Sequence, residues 1–233
     1  IADSRTKAQS MIMAGQIFVD GKKILKSGDF IQENLEITIK NLAPKWVSRG
    51  AYKILHALKY FDIQVENLTC LDLGASTGGF SEVLLSEKVK KIYAVDVGTN
   101  QLHEKLKKQK KILNISKTNA RYLDSTIIPE IIDLIVCDVS FISMKKVIKP
   151  CLQFLNKKKG KIIGLIKPQF ESSKKQIQKG GVILDENIHK KICKEYEEWF
   201  TSECQMSVKG IIPSPIKGPK GNIEFLIYVT INL

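Results

Sequence analysis

No stretch of this 233-residue chain comes near the ~18 consecutive uncharged apolar residues of a membrane-spanning helix, so its 43% hydrophobic content points to buried core. The amino end, residues 1–10, is polar and charged and lacks the apolar run of a secretory signal. Because the chain opens on Ile instead of Met, a preceding piece is expected to have been removed or to lie outside this sequence. No two cysteines form a C-x-x-C pair. Cys70, Cys137, Cys151, Cys193 and Cys204 are odd in number and widely spaced, which argues against a disulfide framework or a zinc site and fits a reducing, cytoplasmic setting. The histidines His56, His103 and His189 show neither metal spacing nor pairing with a nucleophile, so no metal is expected. Acid is scarce too. Against 37 Lys and Arg stand 24 Asp and Glu, and the net charge of +13 favours a polyanionic partner, nucleic acid or an anionic membrane surface, unless it reflects a lysine-rich codon bias.

What is present reads as two units. Residues 3–14 form a capped helix stopped by Gly15, with Arg5 and Lys7 on its polar side. Segments 16–19 and 22–25 flank an Asp20-Gly21 turn, and 35–39 supplies a third strand. The basic groups here suit RNA docking and suit an ordinary solvated face equally well. A linker is expected over 41–45 and a helix over about 51–60. Beyond Leu68, strands at 69–73, 91–95, 132–137 and 161–166 alternate with helices at 79–86, 144–155 and 186–200, and strands at 206–212 and 223–231 close the chain. That is a βαβ pattern with a mostly parallel sheet, an α/β fold. The expected division is a small unit over 1–43, a linker over 44–48 and the α/β unit over 49–233.

Asp72-Leu73-Gly74-Ala75-Ser76-Thr77-Gly78-Gly79-Phe80 places a glycine-rich turn between a buried strand and a helix start, where backbone can approach a ligand closely. A nicotinamide fingerprint needs G-x-G-x-x-G; the G-x-x-x-G-G spacing after an acidic residue suits a methionine-derived cofactor instead. Asp72 is expected to accept from such a cofactor's ammonium, directly or through water. Asp96, ending the next strand, is placed to accept both ribose hydroxyls of an adenosine. Asp138 and Lys167 end two further strands, with Lys53 and Glu224 as partners; taken singly, each reads as a surface or salt-bridge residue.

Ser48-Arg49-Gly50-Ala51-Tyr52-Lys53, residues 72–80, Cys137-Asp138-Val139-Ser140-Phe141 and Ile166-Lys167-Pro168-Gln169-Phe170-Glu171 together resemble the TlyA (haemolysin A-type) family over essentially the whole chain. The resemblance implies an S4-like RNA-binding domain, here without its first helix, ahead of a Rossmann-like class I methyltransferase domain similar to FtsJ-type enzymes. It implies S-adenosylmethionine as cofactor and methylation of cytidine 2'-hydroxyls in ribosomal RNA, with ribosomal RNA or ribosomal subunits as partners. Carried over by motif, a catalytic Lys-Asp-Lys-Glu tetrad falls on Lys53, Asp138, Lys167 and Glu224, the last on the shorter match at 221–225. The expected cofactor-binding set is Asp72, Gly74, Ala75, Ser76, Gly78, Gly79, Phe80, Asp96, Asn119 and Asp138; the expected RNA-binding residues are Arg5, Lys7 and Arg49.

A ribose hydroxyl is a poor nucleophile until its proton is leaving, so a positioned base is needed. Lys167 can serve if its ~10.4 pKa falls to about 7.5, which costs roughly 4 kcal/mol. Alternatively it orients the hydroxyl and stabilises developing charge. Base N-methylation is disfavoured because Val139-Ser140-Phe141 does not match Asn-Pro-Pro or Asp-Pro-Pro. Cys151 follows Pro150 but lies in an expected helix and reads as packing, not as a carbon-5 nucleophile. Two other classes stay open: a membrane-active haemolysin, which the apolar runs of a buried parallel sheet disfavour, and a non-catalytic RNA-binding or ribosome-assembly protein.

Overall fold

The computed structural model describes residues 2, 4–13, 15–40, 45–173 and 181–232. The expected helix ends at Asp3 and Ala14, and linker positions 41–44, lie outside the described residues. Contacts divide the chain into two units, Ile1–Lys45 and Trp46–Leu233.

In the first unit, helix α1 (Arg5–Met13) is capped by Ser4, whose Oγ accepts from Lys7 N at 3.2 Å. It ends at Gly15 with φ +66°, where Gln16 N donates to Met11 O. Strands β1 (Ile17–Val19) and β2 (Lys22–Lys23) meet through Asp20 and Gly21, both at positive φ, and β3 (Ile37–Ile39) pairs with the other edge of β1. The strands expected at 22–25 and 35–39 are thus shorter than their apolar patterns, because only β1 is flanked on both sides.

The second unit starts with α2 (Ala51–Tyr60), followed by β4 (Thr69–Leu73), α3 (Gly79–Ser86), β5 (Lys91–Val95), α4 (Glu104–Lys107), β6 (Ile112–Ile115) and β7 (Leu134–Cys137). Then come α5 (Met144–Cys151), β8 (Lys161–Ile166), α6 (Pro168–Glu171), α7 (Glu186–Glu198), β9 (Met206–Pro213) and β10 (Phe225–Ile231). The seven strands run in the order β6-β5-β4-β7-β8-β10-β9; β4 to β8 are parallel, and β10 is antiparallel to both its neighbours.

Alternation along each strand makes two cores. Leu71, Leu73, Ile135, Cys137, Ile162, Ile166 and Ile227 face α5 and α7; Cys70, Ile92, Leu134, Val136, Ile163 and Leu226 face α2 and α3. On the first face Gly164 leaves room for α5: a Cβ there would lie 2.4 Å from Met144 Sδ.

Several boundaries depart from the sequence pattern. The helix expected over 144–155 ends at Cys151 and turns as a 3-10 segment, Leu152–Phe154, because Leu155 bridges to Ile132 and Phe154 O accepts from Ile132 N. That bridge also takes Ile132 out of the strand expected from it. The helix expected to Phe200 widens into a π turn, Trp199–Glu203, which buries both Trp199 and Phe200. Finally, Glu224 precedes β10 instead of interrupting it.

Phe200 is fully buried, its ring centroid 4.6 Å from that of Trp199. Phe200→Ala should lower unfolding free energy by about 3–5 kcal/mol in urea titrations, and a loss under about 1 kcal/mol would show that the π turn does not anchor this core.

Candidate active site

The order of strands reverses at β4, whose neighbours β5 and β7 lead away in opposite directions, and the crevice beyond their carboxyl ends is where an open α/β sheet binds ligands. Gly74 turns the chain there at φ +81°, and a Cβ on it would lie 2.9 Å from Asp138 O; only glycine lets the β4 and β7 loops approach so closely. Gly74 N and Ala75 N both donate to Val95 O, and Ser76 N donates to Asp96 Oδ2 at 2.8 Å. Asp96 Oδ1 accepts from Gly98 N at 2.7 Å, so the carboxylate is fixed at the tip of β5. The result is a cleft of about 310 Å³ whose walls include Gly74, Ser76, Asp96, Asn119, Asp138 and Phe141. Asn119 Oδ1 accepts from Arg121 N and Nε, which sets the side chain's orientation.

A second chamber of about 230 Å³ shares Gly74, Ser76, Asp138 and Ser140 with the first and is closed by Gly79, Phe80, Lys53 and Lys167 among others, including Ala75. Three of the four expected charged residues line this chamber, Lys53, Asp138 and Lys167, and the fourth, Glu224, is buried behind Lys53. Lys167 Nζ lies 2.6 Å from Asp138 Oδ1 and donates to Ser140 Oγ at 2.8 Å. Lys53 Nζ lies 3.4 Å from Asp138 Oδ2 and 2.8 Å from Glu224 Oε2. Gln169 Nε2 donates to Glu224 Oε1 at 3.3 Å. Lys53, Lys167 and Glu224 are buried, and Asp138 keeps part of its side chain open to the chamber. The elements explain the convergence. Lys53 points inward from the first turn of α2, Asp138 and Lys167 follow the adjacent strands β7 and β8, and Glu224 precedes β10, the other neighbour of β8.

Of the expected cofactor set, Ala75, Gly79 and Phe80 line the second chamber and not the cleft, and two residues line neither. Gly78, at φ +96°, packs against Leu102 and Leu106 and starts α3. Asp72 is 1% exposed; its Oδ2 accepts from Ser81 Oγ at 2.6 Å, and its Oδ1 is buried without a hydrogen-bond partner among the described residues. Burial pushes this carboxyl up to about 7; the charges of Asp138 and Asp96 add to the rise and the Ser81 hydrogen bond opposes it. Arg49 is exposed beside the second chamber, while Arg5 and Lys7 are exposed on α1 of the other unit. Cys151 is fully enclosed near Ala120 O, its thiol pushed up to about 12 by burial, which leaves it no nucleophilic role.

Ser140, Gln169 and Ser81 went unassigned in the sequence. The first two sit inside the motifs around Asp138 and Lys167, yet a lone serine or glutamine carries no pattern. Ser81 follows Asp72 by nine residues, one turn into α3, a spacing that gains meaning only once strand and helix are known to be adjacent.

The raised Asp72 carboxyl has a defined sign. Its folded pKa exceeds the ordinary unfolded value near ~3.9, so the stability contributed by the protonated form is complete below that value and is lost as pH rises through about 7. In the ligand-free protein, wild type should therefore lose up to about 4 kcal/mol relative to Asp72→Asn between pH 4 and 8. Parallel stability profiles of the two proteins by urea unfolding would refute this.

The family model for FtsJ-like methyltransferases matches residues 46–230, and that for the S4 domain matches residues 1–37. Hemolysin A of Brachyspira hyodysenteriae is 40% identical over 232 residues, covering 98% of this chain and 95% of that protein. The 16S/23S rRNA (cytidine-2'-O)-methyltransferase TlyA of Mycobacterium tuberculosis is 36% identical over 236 residues, covering 98% and 85%. A solved structure of a Streptococcus thermophilus protein described as a hemolysin superposes with a TM-score of 0.79 at 35% identity, covering 98% of this chain and 83% of that one. Sheet order, glycine turn and full-length relatives agree: the chain belongs to the FtsJ-like methyltransferase family, of the TlyA (haemolysin A-type) kind that carries an S4 domain at its amino end.

Proposed function

We propose that this chain transfers a methyl group from S-adenosylmethionine to the 2'-hydroxyl of cytidine in ribosomal RNA. The observation that carries this reading is the convergence of Lys53, Asp138 and Lys167, with Glu224 paired behind Lys53, on a chamber that shares a wall with the glycine-turn cleft. The relatives named as rRNA (cytidine-2'-O)-methyltransferases support the substrate.

The cleft's chemistry fits the cofactor. Asp96 stands where ribose hydroxyls can donate, Val95, Ala120 and Val147 give the apolar walls a purine needs, and the bare backbone at Gly74 admits close approach. Gly74, Ser76, Asp96, Asn119 and Asp138 would hold it, while Asp72 and Gly78 support the turn from behind. When bound, the cofactor supplies an electrophilic methyl on a sulfonium.

Lys167 is the group we place beside the attacking oxygen. As a bound cofactor's sulfur–methyl bond gave way to the new oxygen–methyl bond, with the thioether as leaving group, Lys167 would take the 2'-hydroxyl proton at Nζ and later release it to solvent. Asp138 fixes Lys167 and borders both chambers, Lys53 ties Asp138 to Glu224, and Ser140 limits the swing of the Lys167 amine. Burial of the site keeps competing water away. Arg5, Lys7 and Arg49 are proposed RNA contacts, the first two in a docking segment over residues 1–43. A cytoplasmic location follows from a ribosomal substrate; among the described residues no helix is long and apolar enough to cross a membrane.

Incubation with ribosomal subunits and methyl-labelled cofactor, followed by nucleoside analysis, should yield 2'-O-methylcytidine; label on a base, or no label, would sink the reading. Lys167→Ala should cut single-turnover transfer by about 10²-fold or more with cofactor affinity retained, and Lys167→Arg should not rescue it because guanidinium stays protonated. Full activity in the arginine variant would instead assign charge stabilisation. In calorimetry, Asp96→Ala should abolish most binding of S-adenosylhomocysteine, and unchanged affinity would remove Asp96 from the site.

A further inference from the structure

Behind the second chamber, a loop that the tetrad chemistry does not use packs on Glu224 and is tied to Arg49. After β9 the chain runs from Ser214 to Asn222 and returns to Glu224, closed by hydrogen bonds from Ser214 N to Glu224 O and from Gly218 N to Asn222 O. Gly218 presses on the buried carboxylate: a Cβ there would lie 2.2 Å from Glu224 Oε1, so the loop has to be glycine at its point of closest approach. Arg49 Nη2 donates to Lys217 O at 3.3 Å, and the residues beside Arg49, Ser48 and Gly50, line the chamber. A short turn, Pro219–Gly221, then carries Lys220 at φ +60°.

Arg49, Lys217 and Lys220 are all exposed, and among the described residues none of them forms an ion pair. Some surface lysines elsewhere do, among them Lys105 with Glu82, Lys149 with Glu203, Lys191 with Glu195 and Lys194 with Glu198. Glu224, the carboxylate on which Gly218 packs, is enclosed and already paired with Lys53. Three exposed cations without ion pairs among the described residues, one of them flanked by Ser48 and Gly50 of the chamber wall, make a local excess that a polyanion would neutralise.

We infer that Lys217 and Lys220, with Arg49, form a phosphate-binding rim that grips the backbone of the RNA strand on either side of the nucleotide being methylated. This rests on the reading that the substrate is RNA. Ammonium groups on a loop contact phosphate oxygens without reading bases, so the rim sets the position and register of the strand and leaves sequence choice to other parts. Because Gly218 of the same loop packs on Glu224, a strand held by the rim lies close to the tetrad.

The test is equilibrium binding of the full chain to purified ribosomal subunits over a range of salt, beside S-adenosylhomocysteine affinity as a check of folding. Lys217→Gln/Lys220→Gln should weaken subunit binding about tenfold and lower the slope of log affinity against log salt by about 2, one for each lost phosphate contact. Lys191→Gln/Lys194→Gln on α7 changes the net charge equally and should stay within about twofold of wild type. Lys220→Gly, which suits the backbone conformation, should remove about half of the slope change. If the rim pair shifts affinity and slope no more than the α7 pair does, the rim is refuted. A wild type that binds subunits with the rim-dependent slope yet transfers no methyl would overturn the methyl-transfer reading and leave the rim standing.

Discussion

Two ammonium groups and two carboxylates are enclosed together beyond the tips of β7 and β8, and none of them could be there alone. Removing a single charge from water into protein costs several kcal/mol, and losing one partner of a buried pair typically costs about 3–5 kcal/mol because the other is left uncompensated. In this chamber each charge is answered: Lys167 by Asp138, Asp138 again by Lys53, Lys53 by Glu224, and Glu224 again by Gln169. The chain of contacts is therefore a packing constraint before it is a catalytic one. It dictates that α2, β7, β8 and the approach to β10 hold their relative positions closely.

The sheet makes that constraint possible. Reversal of strand order at β4 opens the crevice, and insertion of β10 between β8 and β9 brings a late segment beside an early one. Glycines at 74 and 79 then let backbone replace side chain at the closest approaches: a Cβ at Gly79 would lie 2.1 Å from Ser48 Oγ and 3.0 Å from Ala51 N. The two chambers consequently meet along Gly74, Ser76, Asp138 and Ser140, with little bulk between them.

The parts legible from residues alone were those with a strong period or a rare composition. Buried runs such as Ile135-Val136-Cys137 announce parallel strands, and the glycine turn at 74–79 announces a ligand loop. Edge strand β6 was not legible, because Ile112–Ile115 alternates weakly and has two exposed positions. The end of α5 was hidden because Leu155 leaves the helix for a bridge with Ile132, a tertiary contact that overrides local propensity. At the site, Asp72 illustrates the limit best. Its place before the glycine turn marks it as important, but whether it faces the ligand or the underside of the turn depends on which side of β4 it occupies. Alternation puts it with Cys70 on the α2 and α3 side, where Ser81 meets it.

Glu224 and Lys53, joined at 2.8 Å, are 171 residues apart in the chain. Contacts of such long range form late, since closing the loop costs entropy before the contact returns anything. During synthesis the glycine turn, Asp96 and β5 emerge and can pair long before Glu224 exists, so a nascent chain forms its glycine-turn cleft first and its charged chamber last. Until the segment before β10 reaches its place, Lys53 has only Asp138 as a counter-ion. A chain that stops short of Glu224 therefore leaves Lys53 with the longer of its two charge contacts, and its buried ammonium is correspondingly less stable.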